Sequence, residues 1–407
     1  MTKPRVLMVT RRYWPHVADD AGCRLASLAG GLRRYGIHSE VIAARFAASW
    51  PTELTYRESW IHRPAPAPKG DWSMARYQRG LSNALNRMAA SFDVLYADSM
   101  REEGAAVVEA ARRVGRPSVV RFSGVAEQSD AVWWQTGRSG RRCRSACLSA
   151  DILLATRGSA EQALVAAGAD RKRICRIDDG FPAAPLRDTA SWQAAVTALS
   201  DINADLHIPE RTRVVLCTNR LTQDSGAAIL VEALPTLLQR VPDTQVWMIG
   251  DGPWRSRLYD RVRQQGFSSR VAMPGSFSSL DELLTAADLF VHPHVADGME
   301  YHLPRALGAG LPVVVSSAPE TKRMLGDAME SVTTFSPGDP AALAASVEHA
   351  LTRLPAQVDI ARQLRQTLLA TRPLSSAIES HAKLFQRLTA ESHAASRSDA
   401  SRVEPAQ

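Results

Sequence analysis

Six side chains able to bind or catalyse fall within one short stretch: His292, His294, Asp297, Glu300, His302 and Arg305. The stretch runs VHPHVADGMEYHLPRALGAGLPVVVS from Val291 to Ser316. It reads as a buried strand ending in a His-rich turn, then a short helix, Gly310-Leu311-Pro312, and a second buried strand. Val-Val-Val behind Gly-Leu-Pro is the pattern of a parallel strand covered by helices. The polar residues therefore gather where one strand ends and the next helix begins, the place where open α/β sheets bind ligands. Free N–H groups and the positive end of the helix dipole favour an anion there, most often a phosphate. His292 and His294 alternate onto one strand face with His302 nearby. A metal site would want a fourth ligand, and none is evident, so neutral imidazoles lining a pocket are the reading and no metal is expected.

Such a site needs a frame, and composition allows one. With 407 residues, 45% of them apolar and 22% charged, the chain can bury two cores of ordinary domain size. The formal charge of +7 suits phosphate-bearing ligands or an anionic membrane surface. No basic stripe interleaved with aromatics marks a nucleic-acid binder. Five scattered cysteines, with Cys143 and Cys147 at helical spacing, read as reduced thiols rather than a zinc set. No leader-like apolar core precedes a small-residue cleavage site, and no apolar run is long enough to span a bilayer. The expectation is a cytoplasmic protein, with peripheral membrane contact left open.

Strand and helix patterns alternate. Arg5–Thr10 reads as a strand, Ala21–Tyr35 as a helix, and Ser39–Ala44 as a strand after the Gly36 stop. The Pro-rich run from Trp50 to Gly70 reads as an irregular surface loop. Regularity returns with Asp93–Ala97, Arg101–Val114, Ser118–Phe122, Ile152–Ala155, Ser159–Ala167 and Ile174–Ile177. A less regular segment holding Pro182, Pro185 and Pro209 follows. The pattern then restarts at Arg213–Thr218, which implies two doubly wound α/β domains. The expected division is 1–195, 196–370, a closing helix over 371–392 packing back on the first domain, and a disordered tail over 393–407.

Three segments carry a resemblance: VLCTNRLTQDSGAAILVEAL, VWMIGDGPWRSRL and FSPGDPAALAASVEHAL, in that order between residues 213 and 351, together with the Val291–Ser316 stretch. They resemble family 4 retaining glycosyltransferases, with a divergent donor motif. The resemblance implies the GT-B fold, two Rossmann-like parallel-sheet domains facing across a cleft. It also implies transfer of a sugar from a nucleotide diphosphate to a glycan, lipid-linked or small-molecule acceptor, with no cofactor beyond the donor as co-substrate. The amino-terminal half matches loosely, as an acceptor domain with variable loops would.

By that resemblance Arg220 binds the donor diphosphate, a task its forked donors and fixed charge suit. Ser225 stands where the family has a lysine, and Arg305 where it has the second of two glutamates. Arginine cannot accept ribose hydrogen bonds, so Arg305 is read either as an electrostatic substitute for the lysine or as a solvent-facing side chain. Asp297, followed by Gly298, takes the place of the first glutamate on the donor sugar, with Glu300 as an alternative. Gly250 and Gly252 belong to the donor loop; alone, IGDGPW is too weak a fingerprint for a dehydrogenase. In the first half, Gly22 of DDAG allows close approach to the donor phosphate, and Ser123 of RFSG stands where many relatives carry a histidine. Arg220, Asp297 and Ser123 are the expected catalytic set. The Trp133-Trp134 pair, with Trp14 and Trp72, is read as an acceptor-sugar platform or as core, and the run Arg138, Arg141, Arg142, Arg144 as a lipid-headgroup contact or a solvated helix face. The rival reading is a catalytically degenerate GT-B protein that binds a sugar nucleotide or a partner enzyme. An epimerase on the same fold is a third.

Overall fold

The structure is a computed structural model that describes residues 3–15, 20–123, 129–223, 225–294 and 302–402, without the side chains of 20–23, 71 and 395–402. Asp297, Gly298, Glu300 and Gly124 lie outside the described residues. The chain forms two compact units. The first takes residues up to Trp14, Ala21–Asp179 and everything from Ser375 onward; the second is, in the main, Gly180–Leu374. The division therefore falls at Asp179–Gly180 rather than at 195.

The first unit holds β1 (Arg5–Val9), α1 (Asp20–Leu32), β2 (His38–Ile42), β3 (Glu53–Tyr56), β4 (Ser59–His62), α2 (Asp71–Met88), β5 (Val94–Ala97) and α3 (Glu102–Val114). It continues with β6 (Ser118–Arg121), α4 (Asp130–Trp133), α5 (Gly137–Leu148), β7 (Ile152–Ala155), α6 (Gly158–Ala166) and β8 (Ile174–Arg176). The strands form one eight-stranded sheet in the order β3-β4-β2-β1-β5-β6-β7-β8, parallel throughout except for the β3–β4 hairpin. Continuous apolar runs such as Leu7–Val9 and Val94–Ala97 are fully buried, because helices cover both faces of a parallel sheet. α2, α3 and α5 pack side by side over one face, with Leu81, Val107 and Cys147 in the shared core.

The second unit begins with α7 (Thr189–Ile202) and β9 (Arg213–Thr218), then α8 (Ala227–Arg240), β10 (Thr244–Ile249), α9 (Arg255–Gln264), β11 (Val271–Gly275) and α10 (Asp281–Ala286). It closes with β12 (Leu289–His292), α11 (His302–Gly308), β13 (Val313–Ser316), α12 (Pro319–Leu325), β14 (Thr333–Phe335), α13 (Pro340–Thr352) and α14 (Leu354–Thr371). Its six parallel strands run β11-β10-β9-β12-β13-β14. The chain then leaves for α15 (Leu374–Arg402), which packs on the first unit.

Several local expectations are corrected. The Pro-rich Trp50–Gly70 loop contains the β3–β4 hairpin, whose turn places Arg57 and Glu58 at φ 47° and 63°. That turn usually advertises itself by Asn-Gly, so two charged residues hid it. Helix α2 went unread, and α7 fills part of the supposedly irregular linker. Its start was legible: Asp188 accepts from the Ser191 backbone N–H at 2.7 Å and Ser191 reaches back to the Asp188 N–H at 3.0 Å, a capping box. Residues 393–402, expected to be disordered, continue α15.

Candidate functional site in the six-stranded sheet

Strand order fixes where the second unit can bind. From β9 the chain steps outward to β10 and β11, then returns to place β12 on the other side of β9. The loops after β9 and β12 therefore leave the sheet in opposite directions at their carboxyl ends, which opens the crevice where doubly wound sheets take ligands. Arg220 follows β9 by two residues, and His294 follows β12 by two.

Backbone contacts hold the β9 loop in a fixed course. The Asn219 N–H donates to the Ile249 carbonyl at 2.9 Å, Leu221 to Asp251 at 3.0 Å, and Trp254 returns a bond to Leu221 at 2.9 Å. Gly250 (φ 146°) lies so close that an added Cβ would sit 1.7 Å from the Asn219 carbonyl oxygen; at Gly252 it would sit 2.3 Å from that of Leu221. The two glycines thus seat one loop against the next, and the Gly252 N–H is taken by the Asp251 carboxylate at 2.8 Å. Gly226 (φ 74°), before α8, does the same on the other side, with the Pro293 carbonyl oxygen 1.9 Å from a hypothetical Cβ. Arg220, half-buried, rises from a loop clamped on both flanks.

Ser225 is buried, its hydroxyl donating to the Thr222 carbonyl at 3.0 Å. It shapes the loop into α8 and supplies no positive charge there. Beside it is a residue the sequence reading missed. Asn219, 1% exposed, donates through Nδ2 to the Ser225 carbonyl at 2.7 Å, and its Oδ1 has no partner among the described residues. A polar residue at a buried strand end, just before the arginine, was the available signal.

The three histidines do converge. His292 and His294 rings lie 4.6 Å apart between centroids, and His302 Nδ1 is 3.1 Å from the Thr218 hydroxyl. All three are buried. Burial first, then the neighbouring His294 and His302, push the His292 pKa well below its ordinary value, so this imidazole is neutral. No set of three or more His, Cys, Asp or Glu with metal-holding geometry occurs among the described residues. Arg305, the fourth residue of α11, is ion-paired with Asp281 at the start of α10. It neither points to solvent unopposed nor stands as a lone cation.

The first unit has the same kind of strand-order reversal, with β2 and β5 on opposite sides of β1. Gly22 lies inside the first turn of α1, which begins at Asp20, so the glycine is helical rather than in a preceding loop. Ser123 accepts the Asp130 N–H through Oγ at 2.9 Å while its own N–H donates to the Asp130 carboxylate at 2.9 Å. Asp130 is fully buried and also receives the Met100 N–H and Arg101 Nε. Ser123 is thus half of a loop-locking pair. Of the two tryptophans, Trp134 is buried and stacks on Phe122, while Trp133 packs against the core. Arg24 on α1 holds Asp98, after β5, at 2.6 Å, and Tyr96 donates to the same carboxylate at 2.8 Å. Arg121 holds Asp179 at 2.6 Å. Burial pushes the Asp179 pKa up, but Arg121 and Arg24 outweigh it and keep the carboxyl below its ordinary value. These pairs, distant in sequence, were not foreseen.

Residues 212–353 match the family model described as glycosyl transferases, group 1. An uncharacterized glycosyltransferase of Methanocaldococcus jannaschii is 26% identical over 164 residues, 40% of each chain. The lipopolysaccharide core biosynthesis glycosyltransferase LpsD of Rhizobium meliloti is 30% identical over 129 residues, 32% of this chain and 36% of that one. The matched stretch thus spans well under half of either relative. Among solved structures, Anabaena HepE in complex with UDP-glucose superposes with a TM-score of 0.69 at 17% identity, covering 94% of this chain and 99% of that one. The β9–α13 region that carries the Arg220 crevice is the region that matches the group 1 glycosyl transferase model, and the chain has the GT-B fold of solved glycosyltransferases.

Proposed function

We propose that this protein moves a sugar from a nucleotide diphosphate donor to an acceptor hydroxyl with retention of anomeric configuration, binding the donor at the carboxyl edge of the six-stranded sheet. The observation that carries this reading is Arg220, set on a doubly clamped loop at the strand-order reversal. As the bond to the sugar breaks, negative charge grows on the departing diphosphate. A guanidinium already fixed in place stabilises that charge without reorganising at the moment of reaction. The amino terminus of α8, 14 residues long, adds its dipole to the same side of the loop. Asp297, with Gly298 and Glu300, is assigned to the hydroxyls of the donor sugar. The buried imidazoles at 292, 294 and 302 can hydrogen-bond a sugar, that of His292 without adding charge. Gly22 brings backbone N–H groups of the first turn of α1 to an anion, Gly250 and Gly252 contribute by holding the Arg220 loop, and Ser123 positions its own loop.

HepE was crystallised with UDP-glucose and LpsD is named for lipopolysaccharide core synthesis, so UDP-glucose and a glycan acceptor are the first pair to test. The experiment is a thermal-shift panel of UDP, GDP and ADP, followed by turnover of the matching sugar nucleotides. One diphosphate should raise the melting temperature. Arg220→Ala should abolish most of that shift and lower kcat by on the order of a hundredfold or more. A wild-type protein that none of the three stabilises would sink the proposal. A second reading, a protein that binds the donor without turning it over, is favoured by two observations. Ser225 spends its hydroxyl on the Thr222 carbonyl, and Arg305 is neutralised by Asp281. Binding without donor hydrolysis or transfer would select it.

A further inference from the structure

One helical face of the first unit carries a charge pattern that sugar transfer does not use. α2, α3 and α5 each join parallel strands of the same sheet and pack side by side on one face, so they run in the same direction and their first turns share one edge. On α2 the exposed side chains include Arg76, Arg79 and Arg87; on α5 they include Arg138, Arg141 and Arg142. None of these six has a carboxylate partner among the described residues. Glu109 is the one exposed acid described on the three helices, and Arg113 occupies it. Glu102 and Glu103 are buried against Arg11. The sequence reading left open whether the α5 run was merely a solvated helix face, but such faces normally interleave acids with bases. This one does not. At the same edge, in the first turn of α2, Trp72 is 95% exposed, the most exposed large hydrophobic side chain described. Val132, at 37% exposure, lies on α4 just before α5.

We infer that this three-helix face docks the protein on an anionic lipid bilayer, with the arginines at the headgroups and Trp72 at the interface. A broad face of uncompensated guanidinium groups spread over parallel helices matches a planar, diffuse negative charge. A bare indole beside them suits the boundary between headgroups and acyl chains, where amphipathic rings settle. Long arginine stems can reach the phosphates while their methylenes cover the surface. Free inorganic anions would use the charge but not the indole. The inference is independent of the donor chemistry, since it concerns other residues on the other unit.

The test is co-sedimentation of the full chain with neutral phosphatidylcholine vesicles and with vesicles in which about one lipid in three is phosphatidylglycerol. Binding to the anionic vesicles alone is expected, falling away by about 0.5 M salt as screening shortens. Each surface arginine contributes about fivefold to such partitioning, so Arg138→Gln, Arg141→Gln and Arg142→Gln together should weaken it on the order of a hundredfold. Trp72→Ala should weaken it several-fold in a less salt-dependent way. All four positions are exposed, so melting temperature and donor-induced thermal shift should stay as in the parent. Failure to bind anionic vesicles, or unchanged binding by the triple variant, overturns the proposal. So does tighter retention by an RNA duplex or heparin than by the vesicles. A failed donor panel would leave these outcomes untouched.

Discussion

Arg220 and Arg305 show how differently two arginines of one site can be employed. Arg220 rises from a loop packed closely against its neighbours at Gly250 and Gly252, whereas Arg305 sits on α11 in an ion pair with Asp281. An ion pair has to open before its guanidinium can serve an anion, and that cost cancels much of the gain. Arg305→Ala should therefore change nucleotide-diphosphate affinity by less than about threefold, against tenfold or more for Arg220→Ala, measured by titration calorimetry. Equal losses would show that Arg305 leaves Asp281 when donor binds. At this scale the sequence was informative about residue type and nearly silent about partners. A carboxylate 24 residues away for Arg305, or 74 away for Arg24, is set by which strand ends the fold brings together. Spacing along the chain carries no trace of that.

Elements were far more legible, for a physical reason. Buried parallel strands must be apolar on both faces, so Val214–Cys217, Val246–Ile249 and Val313–Val315 stood out, as did the helices between them. What escaped were elements whose signals conflict, namely a hairpin turned by Arg57 and Glu58 and a helix set among prolines. The glycines of the donor motif were legible too. Their lack of a Cβ serves loop-on-loop packing. Gly226→Ala should therefore destabilise the protein by about 2–4 kcal/mol, because φ 74° and the Pro293 carbonyl both oppose a side chain. Denaturant melts would measure this, and a loss below about 0.5 kcal/mol would mean that the β9 and β12 loops part easily.

At the scale of the whole molecule, α15 is the element to probe. Phe385, Leu384 and Leu388 are buried along it, and Ile378 packs on Gly31 of α1. At about 2 kcal/mol for each of the three buried side chains, removing the helix forfeits on the order of 6 kcal/mol from the first unit. His381 makes the same docking sensitive to acid. Its Nδ1 bonds the Ala377 carbonyl at 2.8 Å, Nε2 is buried without a partner, and burial lowers its pKa from 6.5 to about 4. The unfolded chain then takes up this proton first. Stability is whole above about pH 6.5 and should fall by about 3 kcal/mol as pH drops towards 4. His381→Gln should flatten that part of a stability-versus-pH curve measured by urea melts; an unaltered slope would place the acid sensitivity elsewhere. No helix among the described residues is long and apolar enough to cross a membrane.

The path of α15 also sets a timetable. The lobe that begins ahead of Gly180 is finished by residues that leave the ribosome after Leu374, while the Gly180–Leu374 stretch is made in between. A chain truncated before Ser375 and released should therefore present one protease-resistant half and one still open to digestion. A chain interrupted before α15 would then leave its first lobe unfinished, however sound its second.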